Sequence, residues 1–291
     1  MKPSVFEYHS PETTEEALGL LGELGADAKV LAGGQSLMPL LNLRLTAPGH
    51  LIDINRIPEL RESARMNGTL RLGATTRHQD LGRRADVADC CPLLREAAVY
   101  IGHPQIRTRG TLGGSLAHAD PSAELPAVAV ALDATVVVRS VRGERRVSAA
   151  DFFTYHLTTD LDEDELVVAV DFPVAGPRQG SAFGEVAARF GDFAMAGAAA
   201  VVRLGEDGKV EDARIVCSSV AGTPKRTREA EDVLRGQEAA AVLGEVQAAV
   251  ARTLDPAPQP KVSAGYKRRT AAVLARRAVE SACQSALRRM S

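Results

Sequence analysis

Ala32-Gly33-Gly34-Gln35-Ser36 and, about eighty residues further on, Thr111-Leu112-Gly113-Gly114-Ser115 are glycine-rich turns set among small and hydroxylated residues rather than lysines. Each follows a segment that reads as a strand or turn. Glycine lets the backbone approach a ligand closely and adopt positive φ, so successive N–H groups can face a phosphate. Two such turns suit a ligand with two phosphates. Neither turn matches G-x-x-x-x-G-K-[ST], which disfavours a nucleoside triphosphatase. No G-x-G-x-x-G follows an N-terminal strand, which removes the usual dinucleotide fingerprint.

Around these turns the chain reads as alternating helices and strands. Ser10-Pro11 opens a helix that runs to about Leu24 and stops at Gly25. A short buried strand, 28–32, leads into the first turn. Strands are expected at 51–54 and 69–73, and helices at 76–82 and 92–101, with a short helix or coil at 37–45. After the second turn come an apolar helix at 124–132, a valine-rich strand at 134–140 paired with 145–147, and a strand at 166–172. Pro173, Gly176, Pro177 and Gly180 mark the best domain boundary. Beyond it, strands at 182–188, 194–204 and 210–220 precede helices at 227–234, 238–253 and 265–287, and Asp207-Gly208 makes a tight turn.

Composition bounds the function. The 291 residues are 45% hydrophobic and 25% charged, with a formal charge of −2, which argues against nucleic acid or an anionic membrane as partner. Aromatic residues make up 4% and tryptophan is absent, so a base-stacking platform is not expected. No segment approaches the ~20 apolar residues of a bilayer span, and the N-terminus lacks an apolar signal core, so a cytoplasmic protein is expected. Cys90, Cys91, Cys217 and Cys283 show no C-x-x-C spacing. They indicate free thiols rather than a zinc site or an iron–sulfur cluster.

Two longer stretches resemble a known family. The first is Lys29-Val30-Leu31-Ala32-Gly33-Gly34-Gln35-Ser36-Leu37-Met38-Pro39-Leu40 with Leu43-Arg44-Leu45. The second is Ile106-Arg107-Thr108-Arg109-Gly110-Thr111-Leu112-Gly113-Gly114-Ser115-Leu116-Ala117-His118-Ala119-Asp120-Pro121. Both resemble flavin-binding segments of the medium, FAD-binding subunit of the molybdenum hydroxylases, the carbon monoxide dehydrogenase and xanthine dehydrogenase group. The likeness extends to Val5-Phe6-Glu7-Tyr8 and Gly191-Asp192-Phe193-Ala194 and so covers essentially the whole chain.

This resemblance implies an α+β protein. Its first part, 1–176, would be a vanillyl-alcohol-oxidase or PCMH-type FAD-binding fold with α+β subdomains at about 1–55 and 56–176. A small α+β C-terminal domain of the CO dehydrogenase flavoprotein type, 177–291, would follow. It implies non-covalent FAD, with the pyrophosphate held by Ala32, Gly33, Gly34, Gln35 and Ser36 and by Thr111, Leu112, Gly113, Gly114 and Ser115. Val30, Leu31 and Leu37 would flank the first loop. Ile101 falls where the family lines the adenine or ribose, or is ordinary core. Glu124 either hydrogen-bonds the ribose or is an exposed helix N-terminal carboxylate. Asp120 either contacts the cofactor or shapes the turn before Pro121. Leu166, Phe193 and Met195 correspond to segments near the isoalloxazine ring. Some relatives carry lysine where Met195 stands, and Phe193 either covers the ring or packs between strands.

Three basic or titratable features stay open at this level. His118 is either an acid–base group or a hydrogen-bonded structural residue. Arg107 and Arg109 either face the pyrophosphate or a neighbouring subunit, or form a solvated pair. The basic stripe Lys267, Arg268, Arg269, Arg276, Arg277, Arg288 and Arg289 is either a solvated face or a docking surface.

The function implied is an oxidoreductase component with no catalytic acid, base or metal of its own. A large subunit with molybdopterin would oxidise substrate, and a small subunit with two [2Fe–2S] clusters would relay electrons to FAD here and on to an external acceptor. The assembly implied is a dimer of heterotrimers. The alternatives are a stand-alone flavin oxidoreductase of the same fold, for which the region after Pro177 offers little room for a substrate cap, and a flavin-free assembly subunit.

Overall fold

A computed structural model describes residues 2–260 and 262–290. It is built on three sheets and a small hairpin. The N-terminal sheet pairs β1 (Glu7–His9), β2 (Ala28–Leu31) and β3 (His50–Asp53) in parallel, in the order β1-β3-β2. Helix α1 (Thr14–Leu24) covers it. Ala17, Leu18 and Leu21 of that helix pack on Ala28, Ile52, Ile54, Ile57 and Leu60. The helix begins at Thr14 rather than Ser10-Pro11 because the Thr13 side chain accepts from the Glu16 amide, satisfying one of its orphan donors. Gly25, at φ 51°, ends it as expected. After β2 come the first glycine turn and helix α2 (Leu37–Asn42).

The middle sheet is antiparallel, ordered β4-β5-β10-β6-β7, from β4 (Ser63–Met66), β5 (Thr69–Gly73), β6 (Thr135–Ser140), β7 (Gly143–Ser148) and β10 (Leu166–Pro173). Helices α3 (His78–Arg83), α4 (Ala85–Cys90), α5 (Pro92–Ala98), α6 (Pro104–Arg107), α7 (Leu112–His118) and α8 (Glu124–Ala131) fill the excursion between β5 and β6. All eight residues of α8 are buried, as its near-continuous apolar run requires. Helix α9 (Ala149–Phe152) and the hairpin β8 (Phe153–Tyr155) and β9 (Thr158–Thr159) precede β10.

The C-terminal sheet runs β11 (Gln179–Ala187), β12 (Ala194–Leu204), β13 (Val210–Ser218) and β14 (Lys225–Arg226), again antiparallel. Side chains alternate along a strand, and both faces of β12 are buried. Ala199 and Val201 join the core of α5 and α8, whereas Ala198, Ala200 and Val202 pack under the C-terminal helices. Those helices are α10 (Arg228–Leu234), α11 (Ala239–Thr253) and α12 (Ala264–Arg288). At Gly180, α12 lies directly on β11: a Cβ there would strike the Ala282 carbonyl and the Ala286 amide. Glu231 anchors the layer, accepting from the Ile215 amide at 2.9 Å and from the Arg226 guanidinium at 2.9–3.1 Å.

The basic stripe of α12 is not one solvated face. Lys267 is buried, and Arg268 turns inward to donate to the Leu254 carbonyl that ends α11. All four cysteines are free, with Cys90, Cys91 and Cys217 buried. Among the described residues no helix is long and apolar enough to cross a membrane.

Candidate flavin site

The first glycine turn is an open nest of amides. Gly34 sits at φ 72°, a conformation that favours glycine. Gln35 and Ser36 are exposed, and the Gln35 side-chain amide donates to the Gly33 carbonyl at 3.2 Å. Met38 N–H closes the turn onto the Gly34 carbonyl. The N–H groups of Gly33, Gly34, Gln35 and Ser36 have no acceptor among the described residues. Backbone donors left without a protein partner are what an anionic ligand needs. Leu31 and Leu37 flank the nest, half-buried, with Val30 behind them on β2.

The second segment corrects the sequence reading. It is not a turn but the first half of α7, and most of its amides are engaged. Thr111 is the N-cap, and its hydroxyl accepts from Gly114 N–H at 3.2 Å. Leu112 N–H donates to Thr76, Gly113 N–H to Ala74 and Ser115 N–H to Thr111, at 2.8–3.0 Å. The glycines serve close packing instead. A Cβ on Gly113 would lie 2.6 Å from the Ala74 methyl, and one on Gly114 would touch the Ala32 Cβ at 3.6 Å. Gly33 completes the junction, with its Cβ position 2.5 Å from the Arg109 carbonyl oxygen and 2.7 Å from the Gly110 Cα. The two motifs are thus in backbone contact.

A hydrogen-bond relay that the sequence reading missed holds them there. Asn55 Nδ2 donates to the Ala32 carbonyl at 2.7 Å and to Asp53 Oδ1 at 2.6 Å. Arg77 donates to Asn55 Oδ1 at 2.6 Å and, through its other terminal nitrogen, to the Arg109 carbonyl. One arginine therefore ties the loop after β2 to the loop before α7. Burial, and then the neighbouring charges of Arg61 and Arg109, lower the Arg77 pKa from its ordinary value. A bound anion would relieve that crowding of positive charge. Only an N–H donor pattern and a glycine pair are visible as motifs, and neither marks Asn55 or Arg77.

His78 supports the second loop from beneath. It is buried, and burial holds its pKa down to about 4, so the ring is neutral and Nε2 donates to the Thr111 carbonyl at 2.8 Å. Arg107 is half-buried, and its Nη1 donates to the carbonyls of Val99, Ile101 and Gly102, finishing the turn after α5. Ile101 and Leu166 are committed to the cores, 7% and 4% exposed.

The third element of the site is the start of β12. Ser219 N–H donates to the Pro121 carbonyl at 2.7 Å, and its hydroxyl donates to the Ala194 carbonyl at 2.6 Å. Phe193 and Met195 are thereby held beside the Asp120–Glu124 segment. Phe193 is 76% exposed and Phe190 66%, so packing of Phe193 between strands is ruled out. Asp120 forms the turn, accepting from Ser122 N–H at 2.8 Å. Glu124 is not an exposed helix-end carboxylate. It is buried at the head of α8, and burial, reinforced by Asp120, pushes its pKa up to about 7. His118 is lowered, chiefly by burial.

Glu185 lies behind this region. Its buried Oε2 has no hydrogen-bond partner, and burial, with Glu124 adding to it, pushes its pKa up to about 8. A raised carboxylate stabilises the fold fully below its unfolded value near 4.5, and that contribution is lost as pH rises through about 8. Glu185→Gln is therefore expected to melt higher than the parent at pH 9 and equally at pH 4. After allowance for solvent screening the gain is about 1 kcal/mol, or about 2–4 °C. Equal melting curves at pH 9 would contradict this.

Comparison with known proteins agrees with this geometry. Residues 4–175 match the family described as FAD binding domain in molybdopterin dehydrogenase, and residues 181–282 match the CO dehydrogenase flavoprotein C-terminal domain. The chain is 42% identical over 288 residues to the 6-hydroxypseudooxynicotine dehydrogenase complex subunit alpha of Paenarthrobacter nicotinovorans, covering 98% of this chain and 97% of that protein. Among solved structures, it superposes on the carbon monoxide dehydrogenase from Hydrogenophaga pseudoflava with a TM-score of 0.94 at 40% identity, covering 98% of this chain and 99% of that one. It superposes on quinoline 2-oxidoreductase from Pseudomonas putida 86 with a TM-score of 0.93 at 34% identity, covering 99% and 100%. The chain belongs to the family of FAD-binding subunits of the molybdenum hydroxylases, an FAD-binding domain followed by a CO dehydrogenase flavoprotein C-terminal domain.

Proposed function

We propose that the chain binds FAD non-covalently and relays electrons from the [2Fe–2S] clusters of a small subunit to an external acceptor. A large molybdopterin-binding subunit would supply those electrons. The observation that carries this reading is the set of unclaimed amides at Gly33, Gly34, Gln35 and Ser36, next to Arg77, Arg61 and Arg109. These amides suit a pyrophosphate without any lysine. Thr111, Leu112, Gly113, Gly114 and Ser115 wall the opposite side, where the Ser115 hydroxyl rather than the main chain remains to donate. Val30, Leu31, Ala32 and Leu37 shape the near wall. Asp120 and Glu124 lie toward the sugar, Ile101 and Leu166 back the pocket from the cores, and Phe193 and Met195 lie toward the ring. FAD, when bound, supplies a centre that takes up electrons singly and can release them as a pair. The protein's own part is to orient it and exclude water.

The division we propose is 1–176 for flavin binding, with halves at about 1–55 and 56–176, and 177–291 for the remainder. A cytoplasmic dimer of heterotrimers is the proposed assembly. The relatives above are named for substrates as different as carbon monoxide and nitrogen heteroaromatic rings, which supports a substrate site outside this chain. Co-expression with the large and small subunits, followed by purification, is expected to give a yellow complex whose flavin bleaches when the complex's substrate is added. A colourless complex would point to a flavin-free assembly role. Bleaching by substrate in the isolated chain would point to a stand-alone oxidoreductase.

A further inference from the structure

Three ligating side chains meet at the edge of the N-terminal sheet, away from the glycine turns. Glu7 and His9 are two residues apart on β1 and so share a face. The parallel register places His50, the first residue of β3, opposite Glu7. His9 Nε2 then lies 3.0 Å from His50 Nδ1, and Glu7 Oε2 lies 3.5 Å from the same nitrogen. All three ligand atoms fall within 4.8 Å of one another. Two ligands on a tetrahedral zinc, with bonds of about 2.0–2.1 Å, stand about 3.3 Å apart. The observed separations bracket that edge.

A second feature sets this cluster apart from a chance pair of histidines. Asp27, which precedes β2, faces the other ring nitrogen of His50, with Oδ2 at 3.9 Å from Nε2. Its second oxygen accepts from Gly49 N–H at 2.9 Å, which fixes the carboxylate in place. At 3.9 Å this is an ion-pair contact rather than a hydrogen bond, and it places the carboxylate on the side of the ring where one supports a metal-bound imidazole. Both histidines are half-buried, and their rings stand 5.2 Å apart, so little side-chain freedom is lost on closing around an ion.

We propose that Glu7, His9 and His50 bind a divalent transition-metal cation of the zinc class, with water completing the shell. Two imidazoles and one carboxylate suit Zn²⁺ over Mg²⁺ or Ca²⁺. The ion would staple the three-residue β1 to β3 and so secure the N-terminus of the chain. Cysteine spacing gives no hint of it, because every ligand nitrogen comes from histidine.

The test uses the untagged full chain, stripped with chelator and titrated with ZnCl₂ in a calorimeter. One equivalent is expected to bind and to raise the thermal midpoint. His9→Ala and His50→Ala are expected to abolish both effects, while His156→Ala, at an exposed histidine elsewhere, retains them. Asp27→Asn is expected to weaken binding about tenfold, as loss of an outer carboxylate does. Should His50→Ala fail to fold, visible Co²⁺ bands in the parent that are lost in His9→Gln read the same site. Unchanged zinc binding in both histidine variants, or none in the parent, would overturn the proposal and leave a plain inter-strand hydrogen bond.

Discussion

Gly33→Val is expected to yield a folded chain almost devoid of flavin. The added Cβ would fall 2.5 Å from the Arg109 carbonyl and 2.7 Å from the Gly110 Cα, and both are backbone atoms that cannot swing aside. The two loops must separate, and the amide nest moves with the first. A displacement costing about 3 kcal/mol weakens binding about a hundredfold. Gly113→Leu is expected to act similarly by levering α7 off Ala74, whose Cβ would be 2.6 Å away. Gly19→Ala, where a Cβ meets nothing within 4 Å, serves as the control. Flavin absorbance per chain after desalting reads the effect, with circular dichroism confirming the fold. Full flavin content in Gly33→Val would count against the nest as the pyrophosphate site.

Arg77→Met is expected to give the next largest loss. The methionine keeps much of the aliphatic stem but removes the donors to Asn55 Oδ1 and the Arg109 carbonyl. Leaving half-buried acceptors unpaired costs about 1–3 kcal/mol, and flavin affinity is expected to fall about tenfold or more. Arg77→Lys is expected to recover only part of the loss, because an ammonium offers a point charge where a planar fork spans two acceptors. Fluorescence titration with FAD measures both variants. Parental affinity in Arg77→Met would show that the relay is not what sets the loop spacing.

Much of this architecture is legible in residues alone, and the failures have physical causes. The apolar run of α8 and the near-continuous alanine and valine run of β12 report burial directly, and Gly25 and Asp207-Gly208 mark true ends and turns. Segments that bury little give no such signal. β1 and β4 are short and mostly exposed, and α4 and α6 span only six and four residues. The second glycine pair misleads because glycine serves two ends, amide exposure and close approach, and sequence does not say which. At Gly114 the Thr111 cap, and at Gly113 the Ala74 carbonyl, makes it the latter. Arg77 and Asn55 are invisible for a different reason. Beyond Asp53, two residues before Asn55, their partners are main-chain carbonyls and each other, 22 residues apart, and only the fold brings them together.

The strand that begins beside the proposed flavin site is the same one that runs beneath α12. Phe193 precedes its first residue and Met195 is its second, and Ala198, Ala200 and Val202 follow under the helix. Repacking under α12 therefore acts along the same strand on the exposed Phe193 edge, which the proposed function places at the flavin ring. On the proposed function, substitutions beneath α12 would reach the flavin ring through the strand alone, and would show as a change in its electron-transfer rate with flavin content unchanged.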